Sequence, residues 1–187
     1  MTFRPRITGI FGKLPARGDF VRVGLPEDFV APWDAWCREM LNASRAALGD
    51  GWEEAWMSAP VWRFLLPPGP CGPYAVLGVW LPSVDKVGRQ FPFAAFALAE
   101  SSVDLEDGGA WLDLAEAAGL AGVVADEPHE QLAARLDAAV DDVMLEGVGW
   151  WTDGSPLVQP VRYDVPGLLP ESLAGAMVRD PDFAEQV

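Results

Sequence analysis

The sequence predicts an α/β fold: a central, mainly antiparallel or mixed β-sheet flanked by helices in a layered α/β/α sandwich. Three observations lead there. Val61–Leu66, Tyr74–Leu81 and Phe91–Ala99 are short and almost continuously apolar, as strands buried on both faces are. The segments between them, PPGPCGP (67–73) and PSVDKVGRQ (82–90), are dense in turn residues, so the three runs read as an antiparallel meander rather than βαβ repeats. Stretches before and after the meander have helical spacing instead. With 187 residues, half of them hydrophobic and nine of them tryptophan, the chain suits a single domain, residues 1–187, whose core needs no covalent staples.

In chain order, Ile7–Phe11 is a short β-prone run leading into Gly12. GKLPARGDF (12–20) is loop-like, with Gly, Pro and Gly-Asp. Phe29, Trp33, Trp36, Met40, Leu41 and Leu48, with Ser44 and Ala47 filling the stripe, mark a helix ended by Gly49. Pro32 is tolerated only in a first turn, which places the start of the regular helix near it. Trp52–Met57 allows one further helical turn. After the meander, Gly109–Gly119 and Pro128–Leu145 read as helices, the second with an apolar stripe at Leu132, Leu136, Ala139, Val140 and Val143. Gly149–Thr152 reads as a late strand closed by Asp153-Gly154, and the rest of the tail carries weak signals.

Charge narrows the function. The net charge of −15 opposes nucleic-acid binding and attraction to anionic membranes, both of which need basic surface. The charge is uneven: residues 1–26 carry +4, residues 27–99 carry −3 and residues 100–187 carry −16. A field of that shape either steers docking to a basic partner or serves solubility alone. Two cysteines, Cys37 and Cys71, make no disulfide framework. No apolar run approaches the roughly 20 residues a membrane helix needs. These features predict a cytoplasmic protein without membrane insertion.

Two dense polar segments stand out, GKLPARGDF and LPSVDKVGRQFPF (81–93), which hold the chain's two lysines, Lys13 and Lys86. Gly12-Lys13 lacks the glycine five residues upstream and the following Ser/Thr of a phosphate loop. Gly18-Asp19-Phe20 reverses the kinase metal motif. The single His129, expected in solvent at a helix start, and the separated cysteines offer no metal cluster. Ser83 lies near Asp85 and Lys86, so a Ser-Lys nucleophile is conceivable. The plainer account has Ser83 and Asp85 shaping the turn, with Lys86 and Arg89 paired to carboxylates such as Asp19 or Asp85. Arg89 and Asp85 are expected to tie the second segment to the first through Asp19 and Lys13.

The combination G-x-x-G-K-L-P-A-x-G-D-F at Gly9–Phe20, W-D-x-W at Trp33–Trp36, A-P-x-W-R-F at Ala59–Phe64, G-V-W-x-P-S-x-D-x-V-G-R-x-F-P at Gly78–Pro92 and W-W-T-D-G at Trp150–Gly154 resembles the TagF (ImpM) family of type VI secretion-associated proteins. The resemblance implies a layered α/β sandwich and a regulator, not an enzyme: a post-translational repressor of type VI secretion assembly that binds a cytoplasmic forkhead-associated scaffold protein. It implies no cofactor, no metal and no catalytic residue. Lys13, Gly18, Asp19, Ser83, Asp85, Lys86, Gly88 and Arg89 are the candidate motif or interaction residues. The alternative is a small hydrolase or ligand-binding domain built on Lys13, Asp19, Ser83, Asp85 and Arg89.

Overall fold

The computed structural model describes residues 1–182. A seven-stranded sheet lies at its centre, formed by β2 (Ile7–Gly12), β3 (Val21–Val23), β4 (Trp62–Leu66), β5 (Ala75–Leu81), β6 (Phe93–Ala99), β8 (Gly149–Thr152) and β9 (Val161–Tyr163). The spatial order is β3-β2-β6-β5-β4-β8-β9, and each neighbouring pair is antiparallel. The predicted meander is therefore the middle of the sheet, in register from Trp62↔Trp80 to Leu81↔Phe93. A separate two-stranded ribbon joins β1 (Thr2–Phe3) to β7 (Val140–Asp141).

The continuous apolar runs follow from helices on both faces. Side chains alternate across a strand, so Phe64, Leu66, Val76, Trp80, Ala94, Phe96 and Leu98 point into one core. Leu65, Leu77, Val79, Leu81, Phe93, Ala95 and Ala97 point into the other. The first core is closed by α1 (Glu27–Leu48), α2 (Trp52–Met57) and α5 (Ala174–Val178), the second by α3 (Gly109–Val124) and α4 (His129–Arg135). This is the predicted α/β/α sandwich. Trp33 centres the first core, 4.8 Å from the Phe96 ring, 5.2 Å from Phe64 and 4.9 Å from Trp36.

Two helix readings need correction. α1 begins at Glu27, not near Pro32, which sits inside it. The opening turn is secured by the Phe29 and Val30 N–H groups donating to the Pro26 carbonyl at 3.2 and 3.1 Å, and by burial of both side chains. That burial outweighs the single bond Pro32 cannot donate. The helix expected over Pro128–Leu145 stops at Arg135. The Leu136 carbonyl, which a continuing helix would give to residue 140, instead accepts the Trp111 indole N–H at 2.9 Å. Val140 then pairs with Phe3 in the small ribbon. Leu132 and Leu136 are buried as the stripe required, whereas Val143 is exposed.

The weakly patterned tail is ordered by other indoles. Trp150 donates to the Gly167 carbonyl, Trp36 to Leu169 and Trp62 to Met177, each at 2.9 Å. A buried indole N–H left unpaired is costly, so Trp150 and Trp36 fix irregular segments against the core and Trp62 fixes α5.

Candidate functional site

Sheet topology brings the two polar segments together. β2 and β6 are neighbours, with Gly12 opposite Phe93. The loop leaving β2 and the loop entering β6 therefore emerge side by side at one end of the sheet. Gly12 has φ +137° and lies so close to the Pro92 carbonyl that a Cβ would stand 2.1 Å from its oxygen. Only glycine permits that approach. The Lys13 N–H donates to the same carbonyl at 3.3 Å.

Asp85 is the hub of the junction. Its side chain is fully buried, and its carboxylate accepts four donors. Oδ1 takes the Val87 and Arg89 main-chain N–H groups at 3.0 and 2.9 Å. Oδ2 takes Lys13 Nζ at 3.0 Å and Arg89 Nε at 2.7 Å. Burial alone would raise the Asp85 pKa, but the Arg89 N–H, the Lys13 ammonium, the Arg89 guanidinium and the Val87 N–H outweigh it and hold the carboxyl far below the usual range. Gly88, at φ +86°, supplies the left-handed residue that closes the Asp85–Arg89 turn, and its N–H donates to the Asp85 carbonyl at 3.0 Å.

The remaining bonds stitch one loop to the other. The Ser83 hydroxyl donates to the Lys13 carbonyl at 2.7 Å. The Ser83 carbonyl accepts the Trp56 indole at 3.0 Å and the Phe91 N–H at 3.1 Å. Arg89 Nη2 donates to the Gly18 carbonyl at 2.8 Å, and the Lys86 N–H to the Arg17 carbonyl at 2.8 Å. Beneath them, Phe11, Phe20 and Phe91 form an aromatic cluster, with Lys13 Nζ 5.1 Å from the Phe20 ring.

Of the sequence-chosen residues, Lys13, Ser83, Asp85, Gly88 and Arg89 thus meet in one network, and Gly18 joins it through its carbonyl. Asp19 does not link the loops. It is exposed, and its carboxylate accepts the adjacent Phe20 N–H at 2.8 Å. Lys86 is also exposed and contributes its backbone, not an ion pair, to the junction. The Ser-Lys arrangement is not formed: the Ser83 hydroxyl donates to the Lys13 carbonyl, and Lys86 is exposed with no hydrogen bond to Ser83 among the described residues. Of the hydrolytic set, Lys13, Ser83 and Asp85 are engaged within the junction, whereas Asp19 and one edge of Arg89 face solvent. The two thiols are buried, and burial pushes Cys71 up to about 12 and Cys37 well above its ordinary value, as in unreactive core cysteines. His129, expected in solvent, is half-buried.

Sequence reading missed the contribution of α1. Arg38 lies 5.6 Å from the Phe20 ring and 5.8 Å from that of Phe91. Arg45 reaches Gln90 Oε1 at 3.4 Å and lies 4.4 Å from the Trp52 ring. Their separation of seven residues on one helix was the available signal, because it puts both on one face.

The fold and the braced junction define an α/β/α sandwich domain in which a buried carboxylate, Asp85, braces two loops at one end of the sheet. The chain belongs to the TagF family: residues 9–139 match the TagF N-terminal domain, type VI secretion system-associated. It is also similar to the crystal structure of PA0076 from Pseudomonas aeruginosa PAO1, with a TM-score of 0.77 and 31% identity over 92% of this chain and 94% of that one. A comparison with curated proteins gives no match. Among the described residues, no helix is long and apolar enough to cross a membrane.

Proposed function

We propose that this chain represses assembly of the type VI secretion system after translation, as a single cytoplasmic domain that binds the system's forkhead-associated scaffold protein. Repression works by sequestration: an occupied scaffold is withdrawn from assembly, and no chemical step is needed. The family match over residues 9–139 carries this reading. The uneven charge, +4 over residues 1–26 and −16 over residues 100–187, supports it, since a polarised surface orients an encounter between proteins.

The test is co-purification of the tagged chain with the forkhead-associated scaffold at micromolar concentration, together with secretion measured under overexpression. The expected result is a stable complex and reduced secretion. Absence of a complex, with secretion unchanged, refutes the reading.

A further inference from the structure

The junction has a buried base and an exposed crown. GKLPARGDF and the segment from Ser83 to Pro92 hold four of the thirteen Lys and Arg residues and two of the 28 Asp and Glu, a net +2 in a chain of −15. In the base, one carboxylate, Asp85, faces two cations, Lys13 and Arg89, so one positive charge is left uncompensated. Arg89 is oriented by its bonds to Asp85 and Gly18, yet its side chain is 61% exposed. Among the described residues, its Nη1 has no hydrogen-bond partner. Beside it, Arg17 and Lys86 are exposed and form no ion pair among the described residues. Val87, 71% exposed, caps the turn. Asp85 is saturated and Asp34 holds Arg38 at 2.9 Å, and the exposed Asp19 is already counted in the net charge of +2.

We infer that this crown, made of Arg17, Lys86, Val87 and the free edge of Arg89, is a docking surface for a carboxylate-rich segment of a protein partner. The charge selects the partner's chemistry. A guanidinium already fixed on one edge loses little freedom when its other edge takes a second carboxylate. Arg17 and Lys86 supply flanking charge, and Val87 gives the apolar contact that rim charges alone lack. Because the two loops are bonded to each other, the crown is presented as a preformed surface. The inference takes from the reading above only that the chain works by binding a protein.

The experiment measures fluorescence anisotropy of a labelled polyglutamate peptide at about 0.15 M salt, where a screening length of about 8 Å confines the field to the patch and hides the acidic remainder. The peptide is expected to bind the full chain. Arg17→Glu/Lys86→Glu, which leaves the base intact, is expected to weaken binding about tenfold or more with an unchanged melting temperature. Arg4→Glu/Arg6→Glu, at the far end of β2, is expected to leave binding within about twofold. Should the reversal variant not fold, Arg17→Gln/Lys86→Gln replaces it, with a loss of about threefold expected.

No binding by the wild-type chain, equal binding by the crown variant, or equally tight binding of single-stranded DNA would overturn the inference. The same variants against the forkhead-associated scaffold separate the two readings. Scaffold binding lost only in the crown variant supports both. Scaffold binding indifferent to the crown overturns the surface and leaves the repressor reading standing. Peptide binding without scaffold binding does the reverse.

Discussion

Replacing Lys13 with Met deletes the ammonium from the junction and keeps most of the stem that packs there. Lys13 is 9% exposed and bonded to a carboxylate with no exposure. Breaking a buried ion pair by removing one partner ordinarily costs about 3–5 kcal/mol. Here the loss is smaller, because Asp85 keeps Arg89 Nε and two main-chain N–H donors and the remaining pair is electrically neutral. Loss of the contact to the Phe20 ring adds about 0.5–1 kcal/mol. The expected total is about 2 kcal/mol, or about 4–8 °C in melting temperature for a chain of this size.

Arg89→Ala removes a more exposed partner and is expected to cost less, about 1 kcal/mol. Thermal melts followed by near-ultraviolet circular dichroism, checked by urea midpoints, give both numbers. A Lys13→Met midpoint within about 1 °C of wild type, or Arg89→Ala the more damaging of the two, would refute the account of the junction as a buried brace around Asp85.

Three further outcomes follow from the same geometry. Because the folded-state pKa of Asp85 is depressed below its ordinary 3.8, its contribution is fully present above that value and is lost as pH falls below it. Urea midpoints measured from neutral pH down to strong acid should therefore show a shallower acid decline in Asp85→Asn than in wild type, and parallel curves would contradict this. Trp62→Phe removes the indole N–H from the Met177 carbonyl, which should lower stability by about 1–2 kcal/mol and speed amide exchange over residues 174–178 before the central strands. Unchanged exchange there would show that α5 is held by packing alone. Gly88→Ala should destabilise by about 1 kcal/mol because its φ is +86°, whereas Gly18→Ala, with open space around its Cβ position, should be neutral in urea titrations.

Much of the central architecture was legible because hydrophobic periodicity is a local record of burial. Strands β4, β5 and β6 and the late strand Gly149–Thr152 were visible within a residue or two, since each is buried on both faces and bounded by turn chemistry. The stripe through Trp33, Trp36 and Met40 marked α1 for the same reason. Legibility failed where structure depends on a distant donor. Nothing local in Leu136–Asp141 announces that Trp111 takes the Leu136 carbonyl or that Thr2–Phe3 supplies a strand partner. The short elements Val21–Val23, Val161–Tyr163 and Ala174–Val178 are too brief to carry a period.

The candidate site divides in the same way. Sequence by itself determined which residue types could form it, because Lys13, Ser83, Asp85, Gly88 and Arg89 stand out as charges and turn formers in an apolar, acidic chain, and it determined the sandwich class from strand-length runs too apolar to face water. Only the tertiary structure decided which charges pair. The antiparallel neighbours β2 and β6 place the two loops 70 residues apart in sequence side by side, with Ser83 Oγ on the Lys13 carbonyl. That register sets Lys13 on Asp85, gives Arg89 the Gly18 carbonyl rather than the Asp19 carboxylate, and leaves Arg17 and Lys86 in solvent. Ion pairing falls off over a few ångströms, a distance fixed by strand pairing and loop path, and a linear order of residues does not contain it.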